Sequence, residues 1–314
     1  MGLGLAALGR PGYINLGHGD DLAHVYDWKA METHAHTVLD AAWDSGVRYF
    51  DAARSYGKAE AFLSSWLESR GCVDAVVGSK WGYTYTADWQ LDAAAHEVKE
   101  HSLAVLNRQV KESTALLGPH LKLYQIHSAT LESGVLENQE VLTRLAALKE
   151  TGWCIGLSVS GVQQADVIRR ALEIQAGGKL LFDIGQATWN VLECSAGMAL
   201  QQAHDLGMGI IVKEGLANGR LTDRNTLSEF AEKRTLLMAL ADKHEMSIDA
   251  IALAAVLAQP WVDTVLSGAA QEKHLQANLT AMEVQLDQED QSLLKLLAEA
   301  PEDYWSQRSA LAWN

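Results

Sequence analysis

Tyr49-Phe50-Asp51-Ala52-Ala53-Arg54-Ser55-Tyr56-Gly57 runs an apolar segment straight into a carboxylate and delivers a phenol five residues later. Two later β-like runs end in the same manner. Asp74-Ala75-Val76-Val77-Gly78-Ser79 stops at Lys80, and Leu121-Lys122-Leu123-Tyr124-Gln125-Ile126 stops at His127. Neighbouring strands of a sheet lie about 4.8 Å apart, so three adjacent parallel strands present their ends within roughly 10 Å. Four polar side chains that follow three strands can therefore meet, and the C-terminal rim of a parallel barrel is where such groups collect.

Working outward, the same alternation repeats along the chain. Strands are expected near Leu3 to Ala7, Val47 to Phe50, Ala75 to Ser79, Leu121 to Ile126, Cys154 to Val159, Phe182 to Gln186, Gly209 to Val212 and Val262 to Leu266. Helical periods fall between them. Thr33 to Asp44 is amphipathic and ends at Gly46; in Asn138 to Glu150, Val141, Leu142, Leu145 and Leu148 share one face, and Gly152 closes the segment. Eight β-runs alternating with helices predict an α/β fold, a single (β/α)8 TIM barrel with a parallel eight-stranded core. A doubly wound open sheet is the runner-up. It lacks its usual fingerprint, because GLGLAALG at positions 2 to 9 has the wrong spacing and no helix after it. With four prolines and no Pro/Ser-rich linker, residues 1–314 read as one domain. Irregular loops are expected at residues 9–28, 81–92, 128–136 and 216–228, with an irregular tail after Ala300.

Composition narrows the possible partners. Forty acidic residues against 25 basic ones give a net charge of −15, which argues against nucleic acid as a partner. Cys72, Cys154 and Cys194 are odd in number and far apart, so neither a disulfide framework nor a zinc ribbon is expected and a reducing cytoplasm suits them. No secretory signal is apparent. The longest apolar run, Ala250 to Ala258, is far short of the roughly 20 residues that cross a bilayer and stops before Pro260, so no membrane association is expected.

The chemistry follows from the residue types. A phenol is a weak acid near neutrality, and an adjacent ammonium lowers its pKa; Lys80 is the candidate cation and Asp51 the carboxylate that keeps it charged. His127 is placed to hydrogen-bond a substrate oxygen and orient it toward Tyr56. The four residues, with the strings FDAARSYGKAE (50–60), VVGSKWG (76–82), LKLYQIHS (121–128), GLSVSG (156–161), FDIGQATWN (182–190), GLANGRLT (215–222) and SGAAQEKHLQANL (267–279), resemble the aldo-keto reductase family over nearly the whole chain. That resemblance implies NAD(P)-dependent interconversion of a carbonyl (aldehyde, ketone or sugar) and an alcohol by hydride transfer. Asp51, Tyr56, Lys80 and His127 would be the catalytic residues, with Tyr56 as general acid or base.

The resemblance also implies cofactor contacts from Ser160 and Gln186 near the carboxamide, from Gly268, His274 and Asn278 toward the adenosine phosphate and adenine, and from Lys213 and Leu216, with Lys213 meeting a phosphate or Glu214. NADPH is slightly favoured over NADH. Three positions depart from the pattern. Gly161 stands where an Asn usually follows the Ser, Lys213 replaces a stacking aromatic ring, and Ala269, Ala270 and Gln271 replace cations that often hold the cofactor phosphate, leaving Lys273 and His274.

The other conspicuous residues have plainer readings. His18, His24, His34 and His36 lack metal-ligand spacing and read as surface or pocket histidines, so no metal is expected. Trp81, Tyr83, Tyr85 and Trp89 form an aromatic loop after Lys80, from which Trp81 and Tyr85 are expected to line the substrate pocket. Tyr304, Trp305 and Trp313 read as packing residues. The partner is a small-molecule carbonyl or alcohol, with a sugar permitted; oligomeric state is open. The alternative from another class is a dinucleotide-binding regulatory or scaffold subunit of the same fold with little turnover.

Overall fold

The computed structural model describes residues 1–314. Eight parallel strands close into a barrel: β1 (Gly2–Gly4), β2 (Tyr49–Asp51), β3 (Val76–Trp81), β4 (Leu121–Ala129), β5 (Cys154–Val159), β6 (Ile184–Thr188), β7 (Gly209–Lys213) and β8 (Thr264–Ser267). Each strand pairs with its sequence neighbour, and β8 returns to β1 through Gly2 opposite Leu266. All eight expected strands are present. The first ends sooner than the apolar pattern suggests, at Gly4, because Leu5 to Gly9 turns toward β2 through bonds such as Leu5 N–H to the Asp51 carbonyl (2.9 Å).

Helix α1 spans Trp28–Asp44, five residues longer at its start than the apolar period indicates. The Asp27 carboxylate accepts from the amides of Lys29 and Ala30, both at 3.1 Å, and so supplies an N-cap that hydropathy does not register. The helix over Gln139–Glu150 is capped by Asn138 and buries the four apolar residues expected of it, each at 7 % exposure or less. Between the strand layer and the helical ring lies a core that includes Phe50, Phe62, Trp66 and Phe182, all essentially unexposed.

Two segments expected to be irregular are ordered. Tyr83–Tyr85 pairs antiparallel with Glu97–Lys99, Tyr83 opposite Lys99, so the aromatic loop is a hairpin standing on the barrel rim. Residues after Ala300 form a helix over Pro301–Ser309, with Pro301 in the first turn where its missing amide hydrogen costs nothing. Residues 310–314 then double back. Asn314 and Tyr13 exchange backbone hydrogen bonds of 3.1 and 3.3 Å, which draws the tail across the loop that follows β1.

Inside the barrel, packing is set by an absence at Gly78. A Cβ there would collide with the Tyr49 hydroxyl, which donates to Asp51 Oδ2 at 2.9 Å. Gly78→Ala is expected to displace the phenol and cost about 1–3 kcal/mol of stability by overpacking. Urea unfolding should show a lower midpoint at an unchanged slope; an unaltered midpoint would mean that Tyr49 has room to yield.

Candidate active site

Asp51, Lys80 and His127 reach one place because β2, β3 and β4 are adjacent and in register, with Asp51 opposite Gly78 and Lys80 opposite Gln125. Side chains two residues apart on a strand face the same way. Tyr49 and Asp51 on β2, Gln125 and His127 on β4, and Gln186 and Thr188 on β6 therefore all point into the barrel mouth.

Lys80, 1 % exposed, forms an ion pair with Asp51 Oδ1 and donates to the Ala52 carbonyl at 3.0 Å. The other carboxylate oxygen, Asp51 Oδ2, accepts from Tyr49 (2.9 Å), Gln186 (2.9 Å) and Gln125 (3.3 Å). A buried charge pair is tolerable only when its remaining donors and acceptors are satisfied, and these neighbours do that for the carboxylate. Gln186, expected beside the nicotinamide, lines the cavity and spends its amide nitrogen on Asp51.

Tyr56 lies above this pair. Its ring centroid is 5.1 Å from Lys80 Nζ and 5.4 Å from the His127 ring, which it meets edge to face. Burial raises the phenol pKa, Asp51 adds to the rise, and Arg10 opposes it. Lys80, expected to lower it, is itself held on Asp51 and on a carbonyl oxygen, and the net result of this environment is a phenol above its ordinary pKa, protonated near pH 7. His127 moves in the other direction. Burial, then Lys80, Arg10 and Lys213, push its pKa well below that of an ordinary imidazole, so the ring is neutral near pH 7. Its Nδ1 lies 3.4 Å from the Ser55 hydroxyl. If Ser55 donates there, the ring proton sits on Nε2.

A cavity of about 510 Å³ opens over these residues and extends to β8. Tyr56, His127, Gln186, Ser160, Lys213 and Leu216 line one end, and Gly268, His274 and Asn278 the other. Lys213 Nζ donates to Thr188 Oγ1 (2.7 Å) and Ser160 Oγ (3.0 Å) and lies 3.6 Å from Glu214. Burial lowers its pKa to about 8, although Glu214 resists the shift. Burial would raise Glu214, but Arg308 and Lys213 outweigh it and bring its pKa to about 2. Glu214 and Ser128 both take left-handed backbone conformations (φ 56° and 48°) directly after the strand residues Lys213 and His127. Such conformations, rare outside glycine, cluster at functional sites.

The far end fits a dinucleotide. No atom stands within 4 Å of where a Gly268 Cβ would be, and Asn278 leaves its buried Oδ1 without a partner while its amide nitrogen donates to Ser267 (2.9 Å). The helix over Glu272–Thr280 starts without a side-chain cap, leaving amides free for a phosphate. A cation that sequence reading missed also lies here. Arg224, on the loop after β7, is ion-paired with Asp21 and places Nη2 3.3 Å from His274 Nε2.

The expected substrate contacts are redistributed. Trp81 is fully buried and packs edge-on against His101, and Tyr85 accepts from the Trp89 amide (3.2 Å); neither lies on the cavity wall. The reason is strand alternation: Trp81 still belongs to β3, where Lys80 points into the barrel and Trp81 outward. Tyr83 takes the place, its ring 4.9 Å from that of His127. Trp305 and Trp313, read as packing residues, are on the wall as well. Arg10, also missed, is 3 % exposed, bonds the Ser55 carbonyl and Glu97 (both 3.0 Å), and lies 5.3 Å from the Tyr56 ring and 4.8 Å from that of Trp313. No group of three His, Cys, Asp or Glu side chains is placed to hold a metal ion, and no helix is long and apolar enough to cross a membrane.

Known proteins share this fold. The model of the Aldo/keto reductase family matches residues 1–299. Aldo-keto reductase ausK of Emericella nidulans is 25 % identical over 86 % of this chain and 72 % of its own. Pyridoxal 4-dehydrogenase of Microbacterium luteolum is 24 % identical over 81 % of this chain and 85 % of its own. Among solved structures, the holo form of aldo-keto reductase AKR11C1 from Bacillus halodurans superimposes with a TM-score of 0.73 at 22 % identity, covering 96 % of this chain and 92 % of that one.

Proposed function

The chain belongs to the Aldo/keto reductase family of carbonyl/alcohol oxidoreductases, and from that premise we propose that it reduces a small carbonyl compound, or oxidises the alcohol, at Tyr56 with NADPH or NADH. One observation carries this reading: the Tyr56 phenol and the His127 imidazole stand edge to face at the cavity wall, directly over the Lys80–Asp51 pair.

When bound, the dinucleotide supplies or accepts the hydride. Ser160, Gln186, Lys213 and Leu216 would hold its nicotinamide end, and Gly268, His274 and Asn278 its adenosine end, with Arg224 beside them. In reduction Tyr56 gives its hydroxyl proton to the substrate oxygen as negative charge builds there. His127 orients that oxygen with a hydrogen bond. Lys80, fixed by Asp51, sets a positive charge near the Tyr56 ring and steadies the phenolate left after transfer, which electrostatics in a dry site makes effective. In alcohol oxidation the same phenolate accepts the proton.

Following cofactor absorbance with a panel of aldehydes, ketones and sugars, once with each dinucleotide, tests the proposal. Turnover of at least one carbonyl is expected. Tight dinucleotide binding, measured by quenching of tryptophan fluorescence, without turnover of any panel member would overturn it in favour of a regulatory or scaffold role.

A further inference from the structure

Five lysine and arginine side chains line the cavity, and four of them have a carboxylate partner. Arg10 pairs with Glu97, Lys213 and Arg308 share Glu214, and Arg224 pairs with Asp21. Lys99 alone has none. Its Nζ donates to Thr130 Oγ1 at 3.3 Å and sits 5.9 Å from the centroid of Tyr83, the ring that packs against His127. The hairpin over Tyr83–Tyr85 and Glu97–Lys99 thus carries a cation to the substrate side of the catalytic histidine.

The local charge is opposite in sign to the whole. Asp21, Asp223 and Asp249 gather with Arg224 and His274 at the far end of the cavity, whereas around Tyr56 four cations (Arg10, Lys99, Lys213 and Arg308) face two carboxylates (Glu97 and Glu214), while Lys80 and Asp51 cancel. The complete chain carries −15. An excess of positive charge at one end of a cleft in an acidic protein focuses attraction on an anion entering it. Half-burial destabilises the Lys99 ammonium, and the charge of the exposed Glu132 offsets this only in part. A substrate anion at Lys99 would supply the missing partner.

We propose that Lys99 is the specificity-determining residue of the substrate chamber and binds an anionic group, carboxylate or phosphate ester, on the carbonyl compound whose oxygen lies at Tyr56 and His127. The inference rests on the carbonyl reductase reading above and adds the charge of the substrate. Glu97 does not compete for the anion site as a free carboxylate, since Arg10 neutralises it.

Matched substrates give the test. 4-Carboxybenzaldehyde and 4-nitrobenzaldehyde have nearly the same shape, and the nitro group makes its aldehyde intrinsically more electrophilic, so a preference for the carboxylate must come from the protein. Glyceraldehyde 3-phosphate against glyceraldehyde forms the phosphate arm. In the wild type, kcat/KM should favour the anionic member of at least one pair by about tenfold or more, the effect of one well-placed charge contact. Lys99→Gln should collapse that ratio toward one, mainly through KM, and Lys99→Arg should retain most of it.

The arm that shows the preference identifies carboxylate or phosphate. Equal kcat/KM within both pairs, or a Lys99→Gln ratio equal to that of the wild type, overturns the inference while turnover of 4-nitrobenzaldehyde leaves the reductase reading standing. Should no aldehyde turn over, the reductase reading falls first. Binding of 4-carboxybenzaldehyde followed by tryptophan fluorescence in the wild type and Lys99→Gln then still decides whether Lys99 holds an anion, an equal affinity counting against it.

Discussion

Replacing Tyr56 by Phe is expected to lower kcat for carbonyl reduction by about 10² to 10⁴-fold, the range typical of losing a positioned proton donor. The variant should fold normally, because the Tyr56 hydroxyl is directed at the cavity and its ring contacts with His127, Arg10 and Lys80 survive in phenylalanine. Affinity for the dinucleotide should change little. Single-turnover and binding measurements separate the two quantities, and a kcat within a factor of about three of the wild type would remove Tyr56 from the chemistry. The pH profile follows from the same environment. Tyr56 titrates above the ordinary phenol range and His127 below the ordinary imidazole range, so neither changes protonation between about pH 7 and 9. Reduction by the wild type should be nearly flat across that window as far as these two groups are concerned.

Lys80→Met should be the more damaging change to the molecule as a whole. It leaves Asp51, 2 % exposed, as a buried carboxylate without its cation, and breaking one side of such a pair typically costs about 3–5 kcal/mol. Tyr49, Gln125 and Gln186 still donate to that carboxylate and keep the cost from rising further. Activity should fall as well, since the charge that steadies the Tyr56 phenolate is gone. Adding Asp51→Asn removes the orphaned charge. Lys80→Met/Asp51→Asn is therefore expected to recover much of the stability and little of the turnover. Urea unfolding and steady-state kinetics on the two single variants and the double variant check this, and additive losses in stability would show that the pair does not act as a unit.

The difference between these two predictions reflects how each residue is legible. Asp51, Lys80 and His127 announce themselves as polar residues that end apolar β-runs, a signal that needs only the local pattern and the adjacency of successive strands. Gln125 and Tyr49 carried a signal too: each lies two residues before a recognised site residue on the same strand, and period-two alternation points it into the same interior. Trp81 obeys the same alternation. Lying next to Lys80, it must face the opposite side of β3, and the structure buries it there.

Other features had no local mark. Arg10 meets Glu97 across 87 positions, Arg224 meets His274 across 50, and Tyr13 pairs with Asn314 at the other end of the described chain. Arg10, Arg224, Tyr13 and Asn314 neither interrupt a periodic pattern nor belong to a strand end. The balance of charge in the cavity is of this kind, because it depends on which cations find carboxylate partners and which do not.

By itself the sequence determined the closed eight-stranded barrel and the polar residues at its rim, since strand periodicity, helix periodicity and the stop residues between them are properties of neighbours a few positions apart. Only the tertiary structure decided that the Tyr56 phenol lies above its ordinary pKa, that Tyr83 and Trp313 form the chamber wall, and that Lys99 stands there unpaired. Protonation and pairing are set by burial and by charges that converge when the barrel closes and the tail folds back over it, and distance along the chain does not encode either.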